Sequence, residues 1–573
     1  MGKFLLGFLI GLAFAALVGV MVVFAMIRIG QGRPAAVASN SALVLRLEDD
    51  VPEQAPVELS LPLLQTEQQI TVLEAWRMLH DAASDGRIKA LVIMPRNLTA
   101  GWAKLQELRS DIVAFRKSGK PVYAYLRGAG MREYYVASAA DKIFMTPTDE
   151  LDVKGLRAEM YFLKGTLDKL GVDMEFEKIG RYKDAPDMFT RTSPTPETLQ
   201  VNNEILDQYF SDAIAVIAEG RKKTLAQVRA AIDEGPFVGK EALDAGLVDG
   251  LIFEDEMWGK LNSALGNLTP VKEKTYLRAL AAPSGKRIAF ITGDGDITRG
   301  STTDDVSATG ITATRMVKTI REVENDSSIQ AAILRINSPG GDGIASDDIL
   351  HEAKVLSQKK PTVISMSDLA ASGGYFIAMT GSPIVAYPNT LTGSIGVFFG
   401  RANLKGLFEK IGLAQSYLSR GRFANIDSVN GPLTQAERDK LKNEIDVFYR
   451  DFVERVAKAR KRDFQKIDEL GQGRVWLGTE AKQNGLVDDL GGLDKAVELV
   501  KEKAKIGPSE KVTLVAYPQR KTLLELLLQK SSADAEIDAE IERKLRTVAG
   551  NLPIASLARG GILELMPYTI EVK

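Results

Sequence analysis

The chain repeats itself, and that repetition limits its possible folds more than any other feature of the sequence. Several short motifs recur 241 residues apart and keep one register along the chain. They pair GRYKD at 180–184 with GRFAN at 421–425, LKG at 163–165 with LKG at 404–406, and IKALVI at 88–93 with IQAAIL at 329–334. The motif GLVD then recurs at an offset of 239 residues. A register kept this far indicates a tandem duplication, with repeats at 42–285 and 286–515.

Each repeat alternates short β-branched runs with longer helix-like stretches. The strand-like runs are short and rich in apolar residues, and they lie at 88–93, 121–126, 361–366 and 383–388. Such alternation is typical of α/β domains, in which crossover helices join the strands of a largely parallel sheet. The sequence therefore predicts the α/β fold class, with one such domain in each repeat.

The N-terminal segment is strongly apolar. Phe4–Ile27 comprises 24 residues without a charge, between Lys3 and Arg28. At about 1.5 Å per residue a helix of this length spans about 36 Å, enough for a bilayer core of about 30 Å. A cleaved signal peptide is the competing interpretation, because Ala36–Ala38 offers a cleavage site, but the apolar run exceeds a signal-peptide core. We therefore predict a tip and one transmembrane anchor in residues 1–34, with an orientation that charge bias leaves open.

The C-terminal tail departs from the repeat pattern. After residue 515 a leucine-rich stretch, Leu523–Leu528, precedes an amphipathic segment with apolar residues on one face, namely Ile537, Ile541, Leu545 and Val548. We predict that the tail, 516–573, contains a helix packed on its own domain. A partner-binding helix is the alternative.

Composition excludes several classes of chemistry. Lysine and arginine number 73 against 75 acidic residues, so the net charge of −2 gives no indication of a nucleic-acid partner. The chain has no cysteine, which removes thiol nucleophiles, disulfides and cysteine-zinc sites.

A comparison of the two repeats predicts a composite catalytic site. Ser372 lies among small residues in LAASGGYFIAM, just before a helix-like run, as expected for a nucleophilic serine. At the offset of 241 the first repeat has Met131 in place of this serine, and the second has Ala424 in place of Lys183. The first repeat thus lacks the serine that the second retains, and the second lacks the lysine that the first retains. We therefore predict that Ser372 is the nucleophile and that Lys183, from the other repeat, is its general base.

A lysine base must be uncharged. At its ordinary pKa near 10.4 only about four lysines in ten thousand are neutral at pH 7, so the side chain needs a desolvated cleft. A cleft between two domains provides such a setting. The two histidines, His80 and His351, lie in helix-like segments and are predicted to be structural or solvent-facing.

A glycine-rich turn follows a strand in the second repeat only. The motif NSPGG at 337–341 comes directly after the apolar run 331–336, whereas the equivalent segment 96–100 of the first repeat lacks Pro-Gly-Gly. Glycines at such a turn allow backbone N–H groups to point at a developing oxyanion. We predict Gly341 and Gly373 as the oxyanion donors.

Together these motifs resemble the signal peptide peptidase A family (protease IV) in its long, duplicated form. The resemblance runs from the anchor to about residue 520 and is carried by NSPGG at 337–341, ASGGYF at 371–376, TGSIG at 392–396 and GRYKDA at 180–185. It implies a Ser/Lys peptidase with a Clp protease/crotonase-like fold in each repeat. In that family the nucleophile falls on Ser372, the base on Lys183, the oxyanion glycine within Gly340–Gly341 and a lysine-orienting serine on Ser394.

The resemblance also implies a biological setting. It indicates a membrane-anchored serine endopeptidase that degrades cleaved signal peptides and other extended apolar peptides, without a metal or organic cofactor. It implies a homotetramer in the bacterial inner membrane, single-pass, with a cytoplasmic tip and periplasmic catalytic domains. Two other functions remain open from the residues: a crotonase-like acyl-CoA enzyme and a non-catalytic membrane scaffold.

One residue departs from the family pattern. Asp184 follows Lys183, where the family commonly has serine. A carboxylate this close would hold the lysine protonated unless it points to solvent or pairs with Arg181.

Overall fold

The computed structural model describes residues 37–54, 69–281, 284–300, 310–518, 561–566 and 571–572, together with positions 11 and 21. Apart from those two positions, the predicted anchor over Phe4–Ile27 lies outside the described residues, as does the predicted helix of the tail. Within the described ranges, every helix is too short or too polar to span a bilayer.

The first repeat has the predicted alternation of strands and helices. Its strands are β1 (Ser41–Glu48), β2 (Ile88–Arg96), β3 (Val122–Leu126), β4 (Ala129–Gly130), β5 (Lys142–Met145), β6 (Glu150–Asp152), β7 (Ala158–Glu159), β8 (Asp173–Ile179), β9 (Phe237–Val238), β10 (Gly250–Leu251) and β11 (Thr269–Lys272). Its helices are α1 (Val72–Ser84), α2 (Trp102–Arg116), α3 (Met131–Ala137), α4 (Lys164–Leu170), α5 (Asp187–Thr190), α6 (Pro196–Arg221), α7 (Leu225–Glu234), α8 (Lys240–Asp244), α9 (Glu254–Leu265) and α10 (Glu273–Ala279).

The second repeat follows the same plan and is joined by two strands of the tail. Its strands are β12 (Lys286–Asp294), β13 (Ile297–Thr298), β14 (Ile311–Thr312), β15 (Ile329–Ser338), β16 (Gly340–Asp342), β17 (Thr362–Ala371), β18 (Ile384–Ala386), β19 (Leu391–Gly393), β20 (Val397–Asn403), β21 (Val475–Leu477), β22 (Asp489–Leu490) and β23 (Val512–Tyr517). Its helices are α11 (Ala313–Asn325), α12 (Gly343–Lys359), α13 (Gly373–Phe376), α14 (Lys405–Lys410), α15 (Gln435–Arg460), α16 (Phe464–Leu470), α17 (Gly478–Asn484) and α18 (Leu493–Lys503). The tail adds β24 (Gly561–Leu565) and β25 (Glu571–Val572).

The two repeats share one order of six parallel strands, and in the second repeat β17 also pairs with β19, which is antiparallel to β21. In the first repeat the strand order is β10-β5-β3-β2-β1-β11, with every neighbouring pair parallel. In the second repeat the equivalent order is β22-β18-β17-β15-β12-β23, again parallel throughout. This identity confirms the predicted duplication and the α/β class with largely parallel sheets.

The central strands of both sheets are apolar because helices cover them on both faces. β2 and β15 each bury most of their side chains, and each occupies the middle of its sheet. A parallel sheet that is buried on both faces requires near-continuous apolar runs rather than alternation. The repeated motifs IKALVI and IQAAIL are therefore the interior of the two domains.

A buried ion cluster joins the two repeats. Arg335, on β15 of the second repeat, donates from Nε and Nη2 to the two carboxylate oxygens of Glu53 at 3.0 Å each, and from Nη2 to Glu107. All three side chains are at most 1% exposed, and both glutamates belong to the first repeat. Beside this cluster Asp368 of β17 accepts hydrogen bonds from the backbone N–H groups of Gly101 and Lys104, at the start of α2. Glu53 and Glu107 therefore gain their buried guanidinium partner only when the other repeat is docked.

Removing the cation of this cluster should destabilise the whole chain. Arg335→Leu would leave Glu53 and Glu107 buried without their partner, which should lower the free energy of unfolding by about 3–5 kcal/mol. The control is Arg321→Leu, because Arg321 is 58% exposed in its pair with Glu352 and solvent screens that interaction, so the free energy of unfolding should change little. Urea denaturation of both variants measures the difference. Equal losses for the two variants would contradict a docking role for Arg335.

Candidate active site

Ser372 lies where a central strand ends and a helix begins. The last residues of β17 pair with β19, and the Ser372 N–H continues this ladder by donating to the Gly393 carbonyl at 2.8 Å. α13 then starts at Gly373, and Ser372 itself has φ 54° and ψ −118°. This backbone conformation is sparsely populated for residues other than glycine and costs of order 1–3 kcal/mol. A strained strand-to-helix turn of this kind presents the serine hydroxyl at the edge of the sheet.

Lys183 reaches this edge because a strand of the first repeat joins a sheet of the second. β8 pairs antiparallel with β20 over its whole length, from Asp173 opposite Asn403 to Ile179 opposite Val397. β20 begins three residues after Ser394, so the end of β8 delivers the following turn, which contains Lys183, to that serine.

The structure brings Lys183, Ser372 and Ser394 together. The Lys183 Nζ lies 2.8 Å from the Ser372 Oγ and 3.1 Å from the Ser394 Oγ, and it also donates to the Ser394 carbonyl at 3.3 Å. All three residues are fully buried in the chain. One amine therefore contacts both hydroxyls in a site from which bulk water is excluded.

The glycines predicted as oxyanion donors lie beside Ser372. A Cβ on Gly373 would be 3.2 Å from the Gly340 Cα and from the Gly341 N, so these backbones are in close contact. Gly340 has φ 104°, which favours glycine, and its N–H donates to the Ser338 Oγ at 3.1 Å. The Ser338 hydroxyl therefore already accepts the Gly340 N–H. This makes Gly340 a weaker candidate for the oxyanion donor than Gly341 or Gly373.

A strand of the tail lies next to these glycines. β24 is antiparallel to β16 on one side and to β20 on the other, with Leu565 opposite Gly340. The chain continues with Met566, whose N–H donates to the Pro339 carbonyl at 2.7 Å. Among the residues that the structure describes, β24 alone links β16 to β20 in this sheet, so the space between them is one strand wide.

Comparison with known proteins decides the family. The model of peptidase family S49 matches residues 114–267 and 354–507, one match in each repeat. The chain belongs to peptidase family S49. It is a serine peptidase, so the acyl-CoA enzyme and the non-catalytic scaffold that the sequence left open are both set aside.

Relatives of this S49 peptidase match most of its length. Serine protease SPPA, chloroplastic, from Arabidopsis thaliana is 35% identical over 77% of this chain and 67% of its own. Protease 4 from Salmonella typhi is 30% identical over 90% of this chain and 86% of its own. Among solved structures, ClpP1 from Listeria monocytogenes aligns at 17% identity with a TM-score of 0.23, covering 35% of this chain and 91% of its own.

Asp184 neither points to solvent nor pairs with Arg181, the two arrangements under which it would not hold Lys183 protonated. It is only 5% exposed, and its Oδ2 accepts a hydrogen bond from the Thr198 hydroxyl on α6. Arg181 instead lies over the ring of Tyr182, with its Cζ 4.8 Å from the ring centroid. Burial raises the pKa of Asp184 to about 6, against the Thr198 hydrogen bond, which lowers it. The carboxylate beside the lysine is thus directed into the first repeat.

The two histidines lie on helices, as predicted. On α1, the His80 Nδ1 bonds to the Trp76 carbonyl at 2.9 Å, and its Nε2 lies 3.1 Å from Asp494 of the second repeat. His351 is exposed on α12.

Two elements of the site escape the sequence analysis. One is β24, whose pairing with β16 and β20 has no local signature. The other is the loop GQGR at 471–474, which contacts the lysine turn. A comparison of the repeats could have drawn attention to this loop, because at the offset of 239 residues Gly473 aligns with Glu234 and the two repeats therefore differ there.

The buried carboxyl of Asp184 should make stability depend on pH. Its pKa of about 6 in the folded state exceeds the ordinary value near 3.9. The protonated carboxyl therefore contributes fully to the free energy of unfolding below about pH 4, and this contribution is lost as pH rises through 6. Asp184→Asn cannot ionise and should gain about 1–3 kcal/mol relative to the parent chain between pH 4 and pH 8. Urea denaturation at both pH values measures this gain. Asp233→Asn, on the exposed face of α7, controls for the removal of one charge, and a gain that does not change with pH would refute the assignment.

Proposed function

We propose that this S49 peptidase is a membrane-anchored endopeptidase with a Ser/Lys dyad, which degrades cleaved signal peptides and other extended apolar peptides. The observation that carries the proposal is the 2.8 Å contact between the Lys183 Nζ and the Ser372 Oγ, with both side chains fully buried. Desolvation favours the neutral amine, which is the form that a base requires.

Acylation begins at this contact. Neutral Lys183 takes the hydroxyl proton of Ser372 as the Oγ attacks the peptide carbonyl, and the charge develops on the carbonyl oxygen. The N–H groups of Gly341 and Gly373 stabilise that oxyanion. Lys183 then gives its proton to the leaving amine, and the acyl group stays on Ser372.

Deacylation uses the same base. Lys183 takes a proton from a water molecule, whose oxygen attacks the ester carbonyl, and then returns a proton to the Ser372 Oγ as the acid product leaves. Ser394 accepts a hydrogen bond from the amine through its Oγ, at 3.1 Å, and so orients Lys183 in both steps.

The substrate binds as an extended strand between β16 and β20. The position of β24 supports this geometry, because a strand fits there with backbone hydrogen-bonding neighbours on both sides. Strand addition relies on main-chain hydrogen bonds, which suits an enzyme that must accept many sequences. Signal-peptide remnants are apolar and can be held in this way.

The family resemblance supports the remaining parts of the proposal. Each repeat adopts a Clp protease/crotonase-like fold, consistent with the identical order of parallel strands in the two sheets. The first repeat, 42–285, carries the base, and the second, 286–515, carries the nucleophile. Residues 1–34 anchor the chain in the bacterial inner membrane, with periplasmic catalytic domains assembled as a homotetramer.

The dyad is tested by substitution of its two members. Ser372→Ala and Lys183→Ala should each lower kcat for a fluorogenic apolar peptide by at least about 1,000-fold, and the double variant should be little worse. Lys183→Arg should fail equally, because a guanidinium stays protonated. His80→Gln combined with His351→Gln is the control and should keep nearly full activity. Substantial turnover by Lys183→Arg, or inactivity of a folded histidine double variant, would assign the base elsewhere.

The strand position is tested by removing its present occupant. Deletion of 561–573 should lower KM for a long apolar peptide about threefold or more, with little change in kcat, because β24 no longer competes for the same hydrogen bonds. A synthetic peptide of residues 561–569 should then inhibit the truncated enzyme competitively. Deletion of 571–573 alone, which leaves β24 in place, is the control. An unchanged KM together with no inhibition by the peptide would show that substrate binds elsewhere.

A further inference from the structure

The lysine turn rests on a glycine of the second repeat. A Cβ built on Gly473 would lie 2.6 Å from the Lys183 N and 2.7 Å from its Cα and Cβ, distances at which atoms overlap. Gly473 also has φ 78°, which favours glycine. Next to Gly473, a Cβ on Gly396 would lie 3.2 Å from the Lys183 Cδ and 2.9 Å from the Gly473 Cα. Two adjacent glycines of the second repeat thus pack against the lysine backbone and its aliphatic chain.

The same loop is hydrogen-bonded to the lysine turn and to the backbone of Ser394 and Ile395. The Gln472 carbonyl accepts from the Tyr182 N–H at 2.9 Å, next to Lys183. The Arg474 carbonyl accepts from the Ser394 N–H at 2.7 Å, and the Gly473 N–H donates to the Ile395 carbonyl at 2.8 Å. The loop therefore fixes the lysine turn and the Ser394 backbone against each other.

A cation at the end of the loop adds a second contact with the first repeat. The Arg474 guanidinium lies 5.2 Å from the centroid of the Tyr182 ring, and its Nη2 donates to Glu204 on α6 at 2.6 Å. The loop backbone thus contacts the lysine turn directly, and the Arg474 side chain adds one contact with Tyr182 of that turn and one with α6.

The two repeats differ at this loop as they differ at the dyad. The first repeat has Glu234 at the position of Gly473, and a glutamate there could not allow so close a backbone approach. At this register the glycine is present in the repeat that carries Ser372, whereas the first repeat has its glycine one position later, at Gly235, which lies against the Val153 carbonyl and not against a lysine. This distribution is expected if the glycine serves the composite site.

We propose that the loop Gly471–Arg474, and Gly473 in particular, is the positioning element that sets the distance between the Lys183 Nζ and the Ser372 Oγ. This role rests on the proposed dyad. Gly473 acts through the backbone of Lys183, which can lie close to the loop because Gly473 has no side chain.

The test is Gly473→Ala in the full chain. The added methyl group must push the Lys183 backbone away by several tenths of an ångström, and small displacements of a catalytic group cost up to about 100-fold in rate. We expect kcat to fall about 10–100-fold while KM changes less than about threefold. The acid limb of the pH–kcat profile should move to higher pH, because displacement of the amine from its buried position reduces its desolvation and raises its pKa.

Gly412→Ala is the matched control, because Gly412 has φ 75° and its Cβ would meet no atom within 4 Å. It carries the same backbone strain without the contact and should keep full kcat. Gly396→Ala is a second variant, whose added methyl group would press on the Gly473 backbone and, less closely, on the Lys183 Cδ, so it should lower kcat by a smaller factor.

Each outcome decides one question. Folded Gly473→Ala and Gly396→Ala with parental kcat and pH profile would overturn the positioning role while leaving the dyad intact. A loss of kcat with an unchanged pH profile and a lower melting temperature would assign Gly473 a purely structural role and also overturn it. Activity retained in Lys183→Ala would instead remove the dyad itself. If Gly473→Ala does not fold, the pH profile of Gly396→Ala alone decides.

Discussion

The active centre depends on one strand of the first repeat that is hydrogen-bonded into a sheet of the second. β8 pairs with β20 over seven residue pairs, from Asp173 opposite Asn403 to Ile179 opposite Val397. The side-chain period of a strand is two, so a slip of one residue would turn every side chain of β8 to the opposite face. Glu175 of β8 reinforces the register, because its carboxylate is buried against Arg401 of β20 and Arg438 of α15. The turn after Ile179 can then place Lys183 at only one point along β20.

Docking of the repeats provides the low-dielectric setting that a lysine base requires. Arg335 is neutralised by Glu53 and Glu107 across the interface, and Asp368 caps α2 of the other repeat only four residues before Ser372. Breaking a buried pair of this kind is costly, so the interface resists opening. The amine of Lys183 therefore remains out of water while the repeats stay docked. The proposed base, which one repeat supplies to the serine of the other, depends in this sense on the docking of the repeats.

The same edge of the sheet also offers a place for an extended chain. Ser372 and Ser394 follow the adjacent parallel strands β17 and β19, and ligands of open α/β sheets bind beyond the carboxyl ends of such strands. Next to them β16 and β20 leave a gap one strand wide, which the tail strand β24 occupies in this structure. Recognition through backbone hydrogen bonds on both sides places few demands on sequence. The geometry thus agrees with a peptidase that acts on many apolar segments.

The sequence by itself determined the duplication, the parallel α/β sheets and the two residues of the proposed dyad. These are local or repeated signals: IKALVI and IQAAIL are continuous apolar runs, and Ser372 and Lys183 stand out because each repeat lost what the other kept. Only the tertiary structure decided how the repeats join. The β8–β20 pairing, the direction of the Asp184 carboxylate toward Thr198, the approach of Gly473 to Lys183 and the position of β24 all join residues far apart in the chain or on different elements. Such contacts leave little trace in local pattern, because main-chain hydrogen bonds and close backbone approach depend on the path of the whole chain rather than on the type of any one side chain.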